Sequence, residues 1–374
     1  MKILVSGGHL TPALAFIDWV KLTAPKINLA FAGRLFSQSG KSQRSREQQE
    51  IKQRQIPFFP LHAVKFANID LWLLPLSLPQ FLWSLVQALS IINKTQPDIF
   101  LTFGGYLAVP LGLVAKMKGI PIVTHEQTTK LGLANQLLTR LAVKTAVSFP
   151  QTLCLVPKKR GVLTGNPVRA EILANQSQPS YLPAVNKPLV YITGGSLGSE
   201  IINTTLAQIL PQLLKKYIVI HQCGPATKKR SYAQELDRLV SQLPKQQKQR
   251  YYVKDWIEAK DLSWIYRHAG CVVSRAGANT TMELQQTATP SILIPLPFAY
   301  NDEQLKNARD LAKTGGSLII EQRQLGPKVL FEAIQDMVKH HDQYRQKMLA
   351  NPVRTQQATQ ALLEIVESVV HETS

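Results

Sequence analysis

Ile3-Leu4-Val5-Ser6-Gly7-Gly8-His9 near the start of the chain and Leu189-Val190-Tyr191-Ile192-Thr193-Gly194-Gly195-Ser196-Leu197-Gly198 near its middle share one design. In each, an apolar run of strand length meets a short glycine-rich stretch, and a helix-like pattern follows. Glycine lets backbone N–H groups approach a ligand closely, and a helix start offers unpaired donors with a partial positive charge. At the carboxyl ends of parallel strands, such loops bind nucleotides. One per half predicts an α/β protein of two Rossmann-like, doubly wound domains facing a cleft.

The rest of the chain repeats the alternation of strand and helix patterns. Strands are expected near residues 2–5, 28–32, 99–103, 122–124 and 144–148, and again from 189, at 218–220, 271–274 and 292–295. Thr11-Pro12 reads as N-cap and first helical residue. A polar stretch at 174–188 reads as an interdomain connection. The expected division is 1–168 and 169–351. A terminal segment 352–374, with Ala358, Leu362, Ile365 and Val369 on one stripe, is expected to pack back on the first domain.

At 374 residues, 45% hydrophobic and 18% charged, the chain is long enough for two full cores and too apolar to be disordered. Three scattered cysteines, Cys154, Cys223 and Cys271, make neither a disulfide framework nor a metal site and fit a reduced cytosol. A strand pattern begins after one lysine, so no cleavable signal peptide is expected. With 43 Lys and Arg against 24 Asp and Glu, the net charge is +19, a field that attracts polyanions. No nucleic-acid module or interleaved aromatics accompany it, which disfavours nucleic acid. An anionic lipid or a diphosphate ligand is the preferred partner; a merely soluble basic surface is the plain alternative.

Residues 71–92 carry no charge, but Pro75 and Pro79 interrupt them, and Ser77, Gln80, Ser84, Gln87 and Ser90 dilute them. The pattern predicts a helix from Phe81 that packs Phe81, Leu82, Leu85, Val86, Leu89 and Ile92 on the first sheet. An exposed apolar loop, Leu71-Trp72-Leu73-Leu74, precedes it. Such a wedge, with Lys65 nearby and a basic run (Lys41, Arg44, Arg46, Lys52 and Arg54) earlier in the chain, suits docking on an anionic leaflet; membership in the core is the competing reading.

Gly40-Lys41-Ser42 has the ending of a phosphate-binding P-loop, but the required first glycine would fall at Leu35. No Asp-x-Asp, paired-histidine site or Gly-x-Ser-x-Gly elbow occurs, so no metal is expected. His9 could serve as a base toward a hydroxyl, or simply stand at a helix entry. In Ala278-Asn279-Thr280-Thr281-Met282-Glu283, the N–H groups of 278–280 would point at an anion. Glu283 has two readings: the end of a capping box begun by Thr280, or an acceptor for two ribose hydroxyls. Gln304 opens a helix and could read sugar hydroxyls, as against plain capping by Asn301 or Asp302. Gly104-Gly105-Tyr106 and His125-Glu126-Gln127 also stand at strand ends.

In this order, these segments, with Gly165-Asn166-Pro167-Val168-Arg169 and Gln304-Leu305-Lys306-Asn307-Ala308, resemble the MurG family of bacterial N-acetylglucosaminyltransferases. The resemblance implies a B-type fold and inverting, metal-independent transfer without a cofactor. The donor would be UDP-N-acetylglucosamine. The acceptor would be the undecaprenyl-linked muramyl-pentapeptide of peptidoglycan synthesis, met at the cytoplasmic leaflet of the cell membrane. It implies that Arg169, Gly195, Ser196, Ile257, residues 278–283 (Thr281 and Met282 included) and Gln304 hold the donor, with Arg169 and Ile257 near the uracil, Glu283 on the ribose, the 278–280 turn on the diphosphate and Gln304 on the sugar. Ser6, Gly7 and Gly8 would face the diphosphate from the first domain, Thr128 would also contact the donor, and His9 would be the candidate base. Gly104, Gly105, Tyr106 and Glu126 would lie on the acceptor side. Two departures concern that side: the first glycine loop is shortened, and Thr128 stands where the family has asparagine. Rival readings are a transferase acting on another lipid, an epimerase of the same nucleotide sugar, and a non-catalytic membrane-recruiting subunit.

Overall fold

The computed structural model describes residues 1–36, 44–63, 74–174, 176–182, 186–226, 230–299, 302–351 and 358–373. They form two units, Met1–Arg169 with Arg354–Ser374, and Ala170–Val353. In the first, β1 (Lys2–Ser6), β2 (Asn28–Gly33), β3 (Phe58–Pro60), β4 (Ile99–Thr102), β5 (Ile122–Glu126), β6 (Lys144–Val147) and β7 (Gly161–Leu163) make a sheet ordered β3-β2-β1-β4-β5-β6-β7. In the second, β8 (Leu189–Thr193), β9 (Ile218–Gln222), β10 (Tyr251–Lys254), β11 (Ala269–Ser274), β12 (Ser291–Leu293) and β13 (Ser317–Ile319) are ordered β10-β9-β8-β11-β12-β13. Every pairing between these strands is parallel. The order reverses between β1 and β4 and between β8 and β11, the switch points at which open α/β sheets place ligands. Helices on both faces leave β5, β8 and β9 buried along their whole length, which is why these strands read as continuous rather than alternating apolar runs.

On one face of the first sheet, Phe16, Ile17 and Val20 of the helix Leu10–Thr23 share a core with Leu362, Leu363, Val366 and Val369 of the C-terminal helix Ala358–Thr373. The other face is covered by the helices Leu74–Thr95, Ala108–Met117 and Leu133–Leu141 through Ala88, Ile91, Leu111, Ala115 and Leu138. In the second unit, the helix Glu200–Lys216 buries Ile202, Leu206, Ile209, Leu210, Leu213 and Leu214 against the sheet.

Several sequence expectations are corrected. The stretch 174–188 is not the connection; the units divide at Arg169 and Ala170, and Tyr181 already belongs to the second, its ring beneath the Lys254 ammonium at 3.3 Å. The first helix begins at Leu10 with His9 as its N-cap, so Thr11 and Pro12 lie inside its first turn, where a missing N–H costs nothing. The helix expected from Phe81 runs from Leu74 through Pro79. Pro75 sits in its first turn, and Pro79 forfeits one early ladder bond. Its inward side is Ser84, Ala88, Ile91 and Ile92, whereas Leu82, Val86 and Leu89, expected in the core, are exposed with Leu78 and Trp83. Of the proposed membrane loop, Leu71, Trp72 and Leu73 lie outside the described residues, and Leu74 starts this helix.

Candidate active site

In the first unit the ends of β1 and β4 are tied together: Ser6 Oγ donates to Thr102 Oγ1 (2.9 Å), which also accepts the Gly104 N–H (3.1 Å). Gly8 lies backbone against backbone on Gly104 and Gly105; a Cβ at Gly8 would overlap the Gly104 carbonyl, and Gly104 and Gly105 have φ of +75° and +80°. Only glycine permits this approach. Ser6 and Gly7 are buried, whereas Gly8 and His9 are exposed. No side chain caps the following helix, which leaves its first-turn N–H groups without a side-chain acceptor. Solvent reaches His9, yet the protein around it lowers its pKa below the ordinary 6.5, with the Glu126 carboxylate opposing.

Glu126 is committed to its own loop. Oε1 accepts the Thr128 N–H (3.0 Å) and hydroxyl (2.8 Å); Oε2 accepts the Gly132 N–H (2.8 Å) and Asn135 Nδ2 (2.9 Å). Asn135 also donates to the His125 carbonyl and accepts from Thr124 Oγ1. Both carboxylate oxygens are thereby bonded within the loop, so Glu126 fixes this loop instead of offering a base at the strand end. Thr128, placed near the donor by the resemblance, is buried in this same network. His125 lies beneath, Nε2 bonded to the Gly165 carbonyl at 2.9 Å; burial pushes its pKa down to about 4, so it is neutral and donates from Nε2. Gly105 and Tyr106 are half-buried at the same edge.

The second unit repeats the design. Gly198 (φ +75°) lies on Gly224 and Cys223, where a Cβ would overlap the Cys223 carbonyl. Behind it, Asn203 Nδ2 donates to that carbonyl (2.9 Å), and its Oδ1 accepts from His221 Nε2 (3.0 Å). His221 Nδ1 accepts from the Tyr251 hydroxyl (2.9 Å), and burial holds this imidazole neutral, at a pKa of about 3. Gln222 joins two predicted donor segments: its Nε2 donates to the Gly195 carbonyl (3.1 Å), and its Oε1 accepts the Ile257 N–H (2.9 Å). Ile257 itself is buried.

The helix Ala278–Gln286 has Gly277 as N-cap and no side-chain cap, which leaves its first turn of N–H groups to an anion. Thr280 is therefore its third residue, and the capping-box reading of Glu283 fails. The Glu283 carboxylate is buried and accepts from the Tyr266 hydroxyl at 3.3 Å. Thr281 bonds back to the Gly277 and Ala278 carbonyls, and Met282 is interior, so neither side chain faces the turn's mouth; Asn279 and Thr280 are half-buried. Ser196 is exposed, and Gln304 Oε1 accepts the Leu296 N–H (3.0 Å). Arg169 ends the first unit.

Arg275, missed in the sequence, binds together four strand-end segments of the second unit. It donates to the carbonyls of Ile294 (3.1 Å) and Pro295 (3.3 Å), to Ser199 Oγ (2.8 Å) and to Gln322 Oε1 (2.9 Å). Ser199, the N-cap of Glu200–Lys216, thus faces Arg275 instead of capping its helix. Among the described residues, no group of three or more His, Cys, Asp or Glu is placed to hold a metal ion. The arrangement offers glycine turns and uncapped helix starts for an anion, and one exposed imidazole for a proton.

Two family models match the chain, the glycosyltransferase family 28 N-terminal domain over residues 6–147 and its C-terminal domain over 189–365. The UDP-N-acetylglucosamine–N-acetylmuramyl-(pentapeptide) pyrophosphoryl-undecaprenol N-acetylglucosamine transferase of Clostridium perfringens (strain SM101 / Type A) is 30% identical over 99% of both chains. The protein of that name from Clostridium novyi (strain NT) is 32% identical over 93% of both. Among solved structures, Acinetobacter baumannii MurG covers 98% of this chain and 99% of its own at TM-score 0.66 and 24% identity. A putative UDP-N-acetylglucosamine 2-epimerase from Listeria monocytogenes reaches TM-score 0.67 at 14% identity, covering 100% and 97%. These structural likenesses establish the shared fold alone.

Proposed function

The chain belongs to glycosyltransferase family 28, and from that premise we propose that it moves N-acetylglucosamine from UDP-N-acetylglucosamine to lipid-linked N-acetylmuramyl-pentapeptide, a step of peptidoglycan synthesis. The single observation that carries the reading is the 30% identity to a transferase of that activity across 99% of the chain. The geometry supports it: both sheets end in glycine turns and uncapped helix starts at their switch points.

In the proposed reaction, the 4-hydroxyl oxygen of the acceptor sugar bonds to the donor's anomeric carbon while the bond from that carbon to the diphosphate oxygen breaks. The electron pair leaves with UDP, and the hydroxyl proton passes to His9. Charge grows on the diphosphate. The first-turn N–H groups of Ala278–Gln286 and the loop at Gly195 and Ser196 stabilise it, with help from the helix dipole. Glu283 would hold the ribose and Gln304 the sugar. Main-chain donors supply what a divalent cation supplies in other transferases, so we propose that none is needed. Label from UDP-N-acetylglucosamine is expected in lipid-linked muramyl-pentapeptide, not in simple glycolipids, at the same rate with or without EDTA. Loss of activity in EDTA that magnesium restores would contradict the metal-free account.

Among the described residues, no helix is long and apolar enough to cross a membrane. We propose peripheral docking on an anionic cytoplasmic leaflet through Leu78, Leu82, Trp83, Val86 and Leu89. These are exposed at roughly helical spacing on Leu74–Thr95, in a chain of net charge +19. Trp83 is 60% exposed. The pair Leu82→Glu and Trp83→Glu is expected to weaken sedimentation with anionic vesicles by about tenfold or more, from lost apolar insertion and added repulsion. Unchanged co-sedimentation would remove this face from the membrane.

A further inference from the structure

The loop that Glu126 clamps leads into an exposed strip that the proposed reaction leaves unused. Glu126 fixes Thr128 and Gly132, and Thr128 Oγ1 lies 2.5 Å from the Lys130 carbonyl. The Lys130 side chain is consequently exposed, and among the described residues no hydrogen bond or ion pair engages its ammonium. The helix Leu133–Leu141 follows at once. It buries Asn135, Leu138 and Thr139 and turns Leu133 and Leu137, one helical turn apart, outward at 50% and 38% exposure. It lies in the same helix layer as Leu74–Thr95, whose apolar stripe is also exposed. A cation in the clamped loop, followed by two exposed leucines on the next helix, matches, in order, a pyrophosphate followed by an isoprenoid chain.

We propose that Lys130, Leu133 and Leu137 form the docking strip for the pyrophosphate–prenyl junction of the lipid-linked acceptor. The strip rests on the function proposed above and adds to it where the lipid leaves the sugar. Lys130 pairs with the pyrophosphate, and the two leucines cover the first isoprene unit. The clamp within 126–135 holds the loop so that these contacts need no rearrangement on binding.

The test uses the full chain and two soluble acceptors, muramyl-pentapeptide pyrophosphate carrying either a geranyl chain or a methyl group, so that bilayer docking plays no part. The wild type is expected to prefer the geranyl acceptor about tenfold in kcat/KM, a preference that Leu133→Asn with Leu137→Asn reduces to about twofold. Lys130→Gln is expected to raise KM for both acceptors about fivefold while keeping that preference and the KM for UDP-N-acetylglucosamine. All three positions are exposed, and thermal melts check that each variant is folded. A preference that survives the double leucine change, or an acceptor KM unmoved in Lys130→Gln, overturns the strip. A wild type that transfers to neither acceptor instead contradicts the proposed function, and the strip falls with it.

Discussion

Replacing His9 by alanine lowers turnover by about a hundred- to ten-thousand-fold, the usual worth of a positioned general base, and leaves the affinity for UDP-N-acetylglucosamine in place. The split follows from position: His9 ends the first unit's glycine loop, whereas Gly195, Ala278, Glu283 and Gln304, which would hold the donor, belong to the second. Its neighbours Glu126 and His125 are committed elsewhere. Glu126 has both oxygens bonded within its loop, and His125 is buried with Nε2 on the Gly165 carbonyl. The pH profile gives a second check. A base must be neutral to work, and the surrounding protein lowers the His9 pKa beneath 6.5. Activity therefore holds down to pH 6.5 and falls only as the medium becomes more acidic than that, through the lowered pKa. An acid limb centred above pH 7, or a His9→Ala rate within threefold of wild type (roughly 0.7 kcal/mol of barrier), would remove the assigned role.

Gly198→Ala abolishes donor binding at practical concentrations, with about a hundredfold or greater loss of affinity. Two costs combine. Its φ of +75° lies in the region that L side chains rarely adopt, and the added carbon would overlap the Cys223 carbonyl, a backbone atom fixed by Asn203. Strain of this kind costs about 1–3 kcal/mol, and relief means moving the loop away from its ligand. Gly326→Ala is the comparison, because nothing lies within 4 Å of its added carbon. Calorimetric titration of UDP into both variants checks the expectation. Equal affinities would show that the Gly198 turn does not shape the donor site, and a lower melting temperature without weaker binding would make its role one of stability alone.

The central strands were legible because each is a buried apolar run closed by glycine or small polar residues, as in Leu189-Val190-Tyr191-Ile192 before Gly194. The strands that escaped notice, β3, β7, β10 and β13, lie towards or at the sheet edges, and three of them are only three residues long. So short a run carries no periodicity of its own and becomes a strand through its neighbour. The Leu74–Thr95 helix shows a second limit. Leucines at helical spacing announce an apolar stripe, but Leu82 and Val86 face solvent while Ser84 and Ala88 face the sheet, because the stripe runs nearly all the way round and packing chooses the inward side.

In the candidate site, the glycine turns could be read, since glycine at a strand end has few other uses. The residues that fix those turns could not. Gln222 reaches Gly195 and Ile257, Asn203 reaches Cys223, and Arg275 reaches Ser199 and Gln322, all pairings across long stretches of chain. No local pattern marks such partners. Thr280 and Glu283 had the spacing of a capping box, but the helix starts at Ala278, three residues earlier than that pattern requires. Glu126 stood out as a carboxylate at a strand end, and only the fold shows its oxygens bonded to Thr128, Gly132 and Asn135.

Above all, a nucleoside diphosphate is expected to be held by main-chain amides of the second unit. Isothermal titration of UDP-N-acetylglucosamine into the purified chain in EDTA measures this directly. One site filled to stoichiometry, with the same affinity when magnesium replaces EDTA, is the predicted result. No heat of binding, or uptake only when the cation is present, would contradict it.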